Sequence, residues 1–261
     1  MKMSKPDWKA EFCTTMSKLS RHRSIWQVWS DFIFLSASTI SNRIRTKTWD
    51  EREKEYLSII HTYPKDEQKI LSQLLGTVQL AYMENDEQDF LGSVCMSLEL
   101  NGKRKMQYFS PYCISVLMTE LIFCESTWME ALKKKGYASV YDPTCGAGTM
   151  LIAFAQSVKK KGINPQTRIF FVGQDIDRSA ALMCYIQLSI LGLPGYVIVG
   201  DTLSSPGRLP DNEVWYTPGY FINAERFVDN EVFSQEDCGQ SGHFDLRITG
   251  KTGDAGEEKA G

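Results

Sequence analysis

A glycine-rich segment between an apolar strand and a helix is the feature that most limits what this chain can fold into. The apolar run 138–141 leads into Asp142-Pro143-Thr144-Cys145-Gly146-Ala147-Gly148, and a helical pattern begins near Thr149. Glycine permits the positive φ angles of a tight turn, and the first N–H groups of a helix have no partner within the helix. We therefore expect a strand-to-helix turn whose backbone can closely approach a nucleotide-like ligand.

Two further apolar runs also end in acidic residues. The run 168–173 ends in Gln174-Asp175-Ile176-Asp177, and the run 196–199 ends in Gly200-Asp201-Thr202-Leu203. Helical stretches separate the three runs, and this alternation predicts an α/β fold with a doubly wound parallel sheet. Since the carboxyl ends of parallel strands lie at one edge of a sheet, we expect Asp142, Asp175 and Asp201 to converge there.

These carboxylates suit a nucleoside that carries positive charge. A carboxylate after the second strand can accept hydrogen bonds from both ribose hydroxyls, and one after the third can accept from an adenine amine. Asp142, just before the turn, would repel a pyrophosphate but attract the amino and sulfonium groups of S-adenosylmethionine. The residues therefore favour a Rossmann-like site for S-adenosylmethionine.

Other interpretations of the glycine turn were less consistent with the residues. A nicotinamide-binding turn has the pattern G-x-G-x-x-G/A, but here Leu151 stands in the last place, where helix packing needs almost no side chain. A phosphate-gripping G-x-x-x-x-G-K-[ST] loop is absent from the sequence. The remaining alternative is that Gly146 and Gly148 merely make a tight turn, and the acids after the next two strands disfavour it.

Composition excludes several other classes of protein. No apolar stretch approaches the roughly 20 residues that span a bilayer, and the N-terminus lacks the apolar core of a secretion signal, so we expect a cytoplasmic protein without membrane contact. The seven cysteines include no C-x-x-C pair and the three histidines are scattered, which favours reduced thiols and no metal. All of the acidic excess lies in residues 206–261, and the mild basicity of the remainder is compatible with nucleic acid without arguing for it.

The pattern along the chain predicts three regions. Residues 1–104 have charged and apolar positions at helical spacing, which indicates a helical N-terminal region. Residues 105–249 contain the strand and helix alternation and form the predicted cofactor-binding domain. Residues 250–261 are small, charged and free of aromatic residues, and we expect a disordered tail.

Four motifs in one order indicate a family. They are Gln107-Tyr108-Phe109-Ser110-Pro111, Asp142-Pro143-Thr144-Cys145-Gly146-Ala147-Gly148-Thr149, Gly173-Gln174-Asp175-Ile176-Asp177 and Gly200-Asp201-Thr202-Leu203. Together with Asp89-Phe90-Leu91-Gly92 just before them, they resemble the modification subunits of type I restriction systems, which are adenine-N6 DNA methyltransferases. The resemblance runs from about residue 89 to residue 203. It implies S-adenosylmethionine as the cofactor, DNA as the substrate and a specificity subunit as a partner.

The resemblance also implies roles for individual residues. Phe109, Ser110 and Pro111 would flank the methionine part of the cofactor, and Asp142, Thr144, Gly146 and Gly148 would cradle it. Asp175 would hold the ribose hydroxyls, Ile176 would lie against the adenine face, and Asp201 would accept from the adenine amine. One small departure is Met106, where the family usually has glycine.

The larger departure concerns the catalytic motif. Family members carry [ND]-P-P-[YF] after the fourth strand, where acceptors orient the target amine of a flipped base and the ring stacks on that base. No two prolines are adjacent in this chain. The segment 217–220 follows a plausible strand and keeps one proline and the ring, so Thr217, Pro218 and Tyr220 are the candidate catalytic residues. The segment 248–250, after strand-like 244–248, is a second candidate that keeps neither.

Three functions remain in question at this point. The first is an S-adenosylmethionine-dependent DNA adenine-N6 methyltransferase-like protein with a missing or degenerate catalytic motif. The second is a catalytically inactive cofactor-binding or regulatory homologue that acts through a partner. The third is a methyltransferase of another substrate, such as RNA or protein, that shares the cofactor half.

Overall fold

A computed structural model of the chain describes residues 6–46, 48–98, 109–122, 125–207 and 212–227. The N-terminal part consists of helices, as the sequence predicts. They are α1 (Trp8–Leu19), α2 (Ile25–Ser41), α3 (Trp49–Ile60), α4 (Lys65–Glu84) and α5 (Phe90–Ser97). Two further helices, α6 (Tyr112–Ile122) and α7 (Glu125–Lys135), precede the sheet.

Helix α2 is the central helix of the N-terminal part. It begins after Ser24, whose hydroxyl accepts a hydrogen bond from the N–H of Gln27 at 3.2 Å and so caps the helix. The helix is apolar on most sides and largely buried, which is typical of a helix with neighbours all round. Phe32 packs edge-on against Phe12 of α1, with ring centroids 5.3 Å apart.

The sheet has four strands in the order β1-β2-β3-β4. They are β1 (Ala138–Asp142), β2 (Ile169–Asp175), β3 (Gly195–Val199) and β4 (Glu213–Tyr216). The first three are parallel, with Ala138 opposite Ile169 and Phe171 opposite Gly195, whereas β4 is antiparallel to β3. The prediction of an α/β fold with a parallel sheet and a helical N-terminal part is confirmed.

Three helices connect the parallel strands. They are α8 (Thr149–Lys160), the short α9 (Pro165–Arg168) and α10 (Arg178–Ile190). Helices α8 and α10 share one core cluster with the same face of the sheet, which includes Val140, Phe171 and Val197. Because each crossover adds the next strand on the same side of the last one, the strands described here wind in one direction away from β1.

The strands are apolar because both faces of the sheet are covered. The first six residues of β2 are buried, so its sequence is a nearly continuous apolar run rather than an alternating one. The second face has its own cluster around Phe170 and Tyr196, and Phe227 packs on it. Phe227 belongs to a 3-10 helix (Ala224–Phe227) that follows α11 (Pro218–Ile222).

The N-terminal helices pack directly on this sheet layer and share its core. Helix α10 packs against α2, and Phe34 of α2 contacts the buried Trp215 of β4 edge-on at 6.2 Å. Arg52 of α3 lies over the Trp215 ring at 3.9 Å and donates to the carbonyl of Val214 at 2.6 Å. Nη1 and Nη2 of Arg52 are thus both hydrogen-bonded where helix and sheet meet, to the hydroxyl of Ser41 and to the carbonyl of Val214.

Several predictions concern residues outside those described. They are the boundary between residues 104 and 105, Met106, the strand-like segment 244–248, the second catalytic candidate 248–250 and the tail 250–261. Of the seven cysteines, the five in the described ranges (Cys13, Cys95, Cys113, Cys145 and Cys184) form no disulfide bond there. No helix in these ranges is long and apolar enough to cross a membrane.

Candidate functional site

The glycine turn connects β1 to α8 at the carboxyl edge of the sheet. Gly148 is the N-cap of α8, with a φ of 94°, and its N–H donates to the carbonyl of Cys145 at 2.7 Å. A Cβ at Gly148 would lie 2.8 Å from Sγ of Cys184 on α10 and 3.3 Å from its Cα. Both the left-handed conformation and this close approach therefore require glycine. Gly146 also has a positive φ, 54°, and a Cβ there would meet the ring of Phe109 at 3.1 Å.

The turn forms one wall of a cleft of about 180 Å³. Six predicted cofactor residues line it: Phe109, Ser110, Asp142, Thr144, Gly146 and Asp175. Cys145, Thr149, Met150 and Ala180 complete the lining, and sequence analysis did not propose them. The structure therefore brings the acids after the first two strands together with the glycine turn and with the Phe109-Ser110 segment.

Asp175 connects the second strand to the turn. Its Oδ2 accepts from the N–H of Gly146 at 2.9 Å, and its Oδ1 accepts from the N–H of Asp177 at 2.8 Å. A carboxylate accepts hydrogen bonds and cannot donate them, so this position suits a ligand with hydroxyl donors. The bonds also fix the carboxylate relative to the backbone of the turn.

Asp142 is buried at the end of β1, and its charge is costly there. The pKa of its carboxyl is raised to about 7, mainly by removal from water; the hydrogen bond from the N–H of Thr144 opposes this shift, and the nearby Asp175 adds to it. An anion at this position is stabilised by a cation in the cleft. The site is thus electrostatically suited to a positively charged ligand.

Four of the predicted residues lie outside the cleft lining. Asp201 follows β3 in an accessible loop, where its carboxylate accepts from the N–H of Leu203 and from the hydroxyl of Ser204, both at 2.9 Å. These bonds lower the pKa of Asp201. Ile176 is 70% exposed beside Asp175. Pro111 is exposed after Ser110, and Gly148 contributes its backbone conformation rather than a surface.

Gln174 organises the loop that contains Asp201, and sequence analysis missed this role. The side chain is fully buried, and its Nε2 donates to the carbonyls of Gly200 at 3.3 Å and Ser205 at 2.9 Å. Its Oε1 accepts from the hydroxyl of Tyr141 at 2.9 Å and from the N–H of Gly207 at 3.0 Å. A glutamine inside an otherwise apolar strand was the available signal, because a buried amide needs several partners.

The candidate catalytic segment lies at the amino ends of the parallel strands, opposite to the cleft. Thr217 follows β4, and because β4 is antiparallel, its end lies beside the start of β3 at Gly195. The Asp201 loop follows the other end of β3. Thr217 and this loop are therefore separated by the length of a five-residue strand, roughly 15 Å. The structure does not bring Thr217, Pro218 and Tyr220 to the cleft.

Structural roles account for these three residues. The buried hydroxyl of Thr217 donates to the carbonyl of Leu193 at 2.8 Å, accepts from the N–H of Gly195 at 3.1 Å, and caps α11. Pro218 stands at the first position of that helix, where its missing N–H costs nothing. The ring of Tyr220 packs against Tyr216 at 4.8 Å.

A substitution at Thr217 distinguishes a structural role of this residue from a catalytic one. Thr217→Val keeps the shape but removes the cap and leaves the buried N–H of Gly195 without its acceptor, so we expect a loss of about 2 kcal/mol in unfolding free energy. Ligand affinity of the folded protein should not change, since the cleft is at the other edge. Urea denaturation and calorimetry measure the two quantities. A variant of unchanged stability that loses activity would assign Thr217 to the chemistry instead.

The fold and the cleft define a class: an α/β protein with a nucleotide-type ligand site, made of a glycine turn and strand-end acids, at the carboxyl ends of its parallel strands. The model of the N-6 DNA methylase family matches residues 95–235, which is more than half of the chain, and the chain belongs to this family. It is a DNA N6-methyltransferase-like protein, and the family implies S-adenosylmethionine as the methyl donor. The predicted membership of an adenine-N6 methyltransferase family is confirmed.

Two solved structures are similar to the chain. One is a candidate class I S-adenosylmethionine-dependent methyltransferase from Listeria monocytogenes, with 14% identity and a TM-score of 0.39 over 78% of this chain and 55% of that one. The other is the methyltransferase subunit of a type I restriction-modification system from Streptococcus thermophilus, with 16% identity and a TM-score of 0.40 over 80% of this chain and 42% of that one. The chain thus spans about half the length of these two proteins. No curated protein matches it.

Proposed function

We propose that this chain binds S-adenosylmethionine in the cleft at the carboxyl edge and acts in adenine-N6 methylation of DNA, in the manner of a type I modification subunit. The observation that carries the proposal is the meeting of Asp142, Asp175 and the glycine turn in one cleft. A cationic nucleoside satisfies each of these groups, whereas a pyrophosphate would be repelled by both carboxylates.

The described residues fit the cofactor. A Cβ at Gly146 would press on the ring of Phe109, so the glycine lets this ring pack closely on the turn at the wall of the cleft. The carboxylate of Asp175 lines the cleft, and its oxygens are the acceptor type that ribose hydroxyls need. Burial disfavours the ionised form of Asp142, and a nearby cation would stabilise it. The amino and sulfonium groups of S-adenosylmethionine would provide this positive charge.

We assign the remaining contacts by resemblance. Asp201 would accept from the adenine amine, and the exposed Ile176 would cover the adenine face. Thr144, Gly148, Ser110 and Pro111 would complete the surroundings of the methionine part. The cofactor supplies the methyl group, and the chain's own residues bind it, orient it and keep the sulfonium beside a carboxylate. We assign no acceptor for the target amine among the described residues.

The proposed partners are DNA and a specificity subunit, and the expected location is the cytoplasm. The test is transfer of a labelled methyl group from S-adenosylmethionine to unmethylated DNA, with the protein alone and with a specificity subunit. N6-methyladenine in the digested DNA is the expected product. Calorimetry on the same sample measures cofactor binding. Protein that binds cofactor but transfers no label under either condition would contradict the enzymatic part of the proposal.

A second candidate function is cofactor binding without turnover, in a regulatory role through a partner. The position of Thr217, Pro218 and Tyr220 at the far edge favours it, because these residues are the nearest remnant of the proline-pair motif. This function predicts tight binding of S-adenosylmethionine with no methylated base. Any N6-methyladenine above background would exclude it.

A further inference from the structure

A buried hydrogen-bond network lies directly beneath the glycine turn. It joins Tyr82 at the end of α4, Asp89 at the start of α5, Thr149 at the start of α8 and Gln187 on α10. All four side chains are buried. Two of the elements belong to the N-terminal helices and two to the sheet layer, so the network spans the junction between them.

Gln187 is the centre of the network. Its Nε2 donates to Oδ1 of Asp89 at 2.9 Å and to the carbonyl of Ala147 in the turn at 2.7 Å. Its Oε1 accepts from the hydroxyl of Tyr82 at 2.5 Å and from the N–H of Leu91 at 2.9 Å. Both donors and both acceptor positions of the amide are therefore used, which fixes the orientation of the side chain.

Asp89 holds the other side of the turn. Its Oδ2 accepts from the hydroxyl of Thr149 at 2.5 Å, and its Oδ1 accepts from the N–H of Gly92 at 2.8 Å. A Cβ at Gly92 would lie 2.1 Å from Oδ2 of Asp89, so the glycine makes room for the carboxylate. Ala147 and Thr149 are the two neighbours of Gly148, and the network holds both of them.

We propose that Asp89 and Gln187 are positioning residues that hold the glycine turn in its ligand-binding conformation, and that Tyr82 makes this conformation depend on the docking of α4 and α5. The inference rests on the proposed function only where affinity for S-adenosylmethionine is concerned. Neither Asp89 nor Gln187 lines the cleft, so their effect on the ligand passes through Ala147 and Thr149.

The physical basis is the cost of an unsatisfied buried group. If one hydrogen bond of the network is lost, the amide of Gln187 can rotate, and the carbonyl of Ala147 can lose its donor. The turn then samples conformations in which the ligand cannot bind, and the apparent affinity falls by the fraction of time it spends there. Couplings of this kind commonly change an affinity by a factor of about 2 to 30.

Two matched substitutions test the inference. Tyr82→Phe removes one buried hydroxyl tied to Gln187, and Tyr63→Phe removes one buried hydroxyl tied to Asp31 at 2.6 Å, elsewhere in the N-terminal helices. Both should lower stability, and Tyr82→Phe should lower it at least as much, because the Tyr82 hydroxyl also lies 3.2 Å from the carbonyl of Gln88. We expect Tyr82→Phe to weaken S-adenosylmethionine binding about five-fold, and Tyr63→Phe to leave it unchanged. Asp89→Asn, which keeps the size of the side chain, should weaken binding further than Tyr82→Phe.

A second measurement does not require the cofactor. Hydrogen exchange at the amides of Gly146, Gly148 and Ile152 reports opening of the turn, because all three are hydrogen-bonded there. Exchange should be faster in Tyr82→Phe than in Tyr63→Phe without ligand. Equal exchange in the two variants would overturn the inference, whatever the affinities. If the wild-type protein binds no S-adenosylmethionine while the exchange rates differ as expected, the proposed function fails and the inference stands.

Discussion

Replacement of Asp175 by alanine is expected to weaken S-adenosylmethionine binding by at least about 100-fold, since two charge-assisted hydrogen bonds to the ribose would be lost. The same change removes the acceptor of the Gly146 N–H, so the turn loses a contact as well. Isothermal titration calorimetry at a temperature well below the melting transition measures the affinity. The loss should appear in binding, before any step of methyl transfer.

Asp177→Ala is the matched control for this prediction. Asp177 lies two residues away, and its carboxylate caps α10 by accepting from the N–H of Ala180 at 3.1 Å. Its removal should lower the unfolding free energy by about 1 kcal/mol and change the affinity by less than about two-fold. Similar losses of affinity in the two variants would show that Asp175 does not contact the ribose.

The arrangement of Asp142 and Asp175 was predictable from the sequence because topology determines it. Parallel strands joined by crossover helices have their carboxyl ends at one edge, and the acids directly follow apolar runs. The glycine turn was predictable for a similar reason, since positive φ angles and close packing on Cys184 both demand glycine at position 148. Local sequence therefore contained the main elements of the cleft.

The position of Thr217 could not be predicted in this way. Residues 213–216 suggest a strand, but nothing in four residues determines whether it pairs parallel or antiparallel, and that choice decides at which edge Thr217 lies. Gln174 and Gln187 were missed for a different reason. A glutamine in an apolar pattern can point to solvent or be buried with all of its hydrogen bonds made, and the neighbours that decide between these lie far away in the sequence.

Asp142→Asn is expected to change stability and affinity in opposite directions. The folded-state pKa of Asp142 is raised from 3.8 to about 7, so the protonated form is favoured in the folded protein. The stability that this proton provides is complete below about pH 4 and is lost as the pH rises to about 7. The asparagine variant has no such loss, and at pH 8 it should be more stable than the wild type by up to about 4 kcal/mol.

The pH dependence of the unfolding free energy distinguishes the ionisation of Asp142 from other effects of the substitution. Asp89 also has a raised pKa because it is buried, and it affects the pH dependence of stability in the same direction in both proteins. The difference in unfolding free energy between variant and wild type therefore reports on Asp142 alone. Thermal or urea unfolding between pH 5 and 8 should show this difference growing up to about pH 7 and remaining constant above it. A difference independent of pH would mean that Asp142 does not titrate in this range.

Ligand binding should show the reverse preference. In the proposed complex, the sulfonium and amino groups of S-adenosylmethionine would stabilise an ionised Asp142, so wild-type affinity should rise with pH up to about 7 and binding should release a proton below that pH. The asparagine variant should bind more weakly at pH 8 and lose this dependence. S-adenosylhomocysteine, which lacks the sulfonium charge, should lose less affinity in the variant than S-adenosylmethionine does. Equal losses for the two ligands would place the sulfonium away from Asp142, and the carboxylate would then act on the amino group alone.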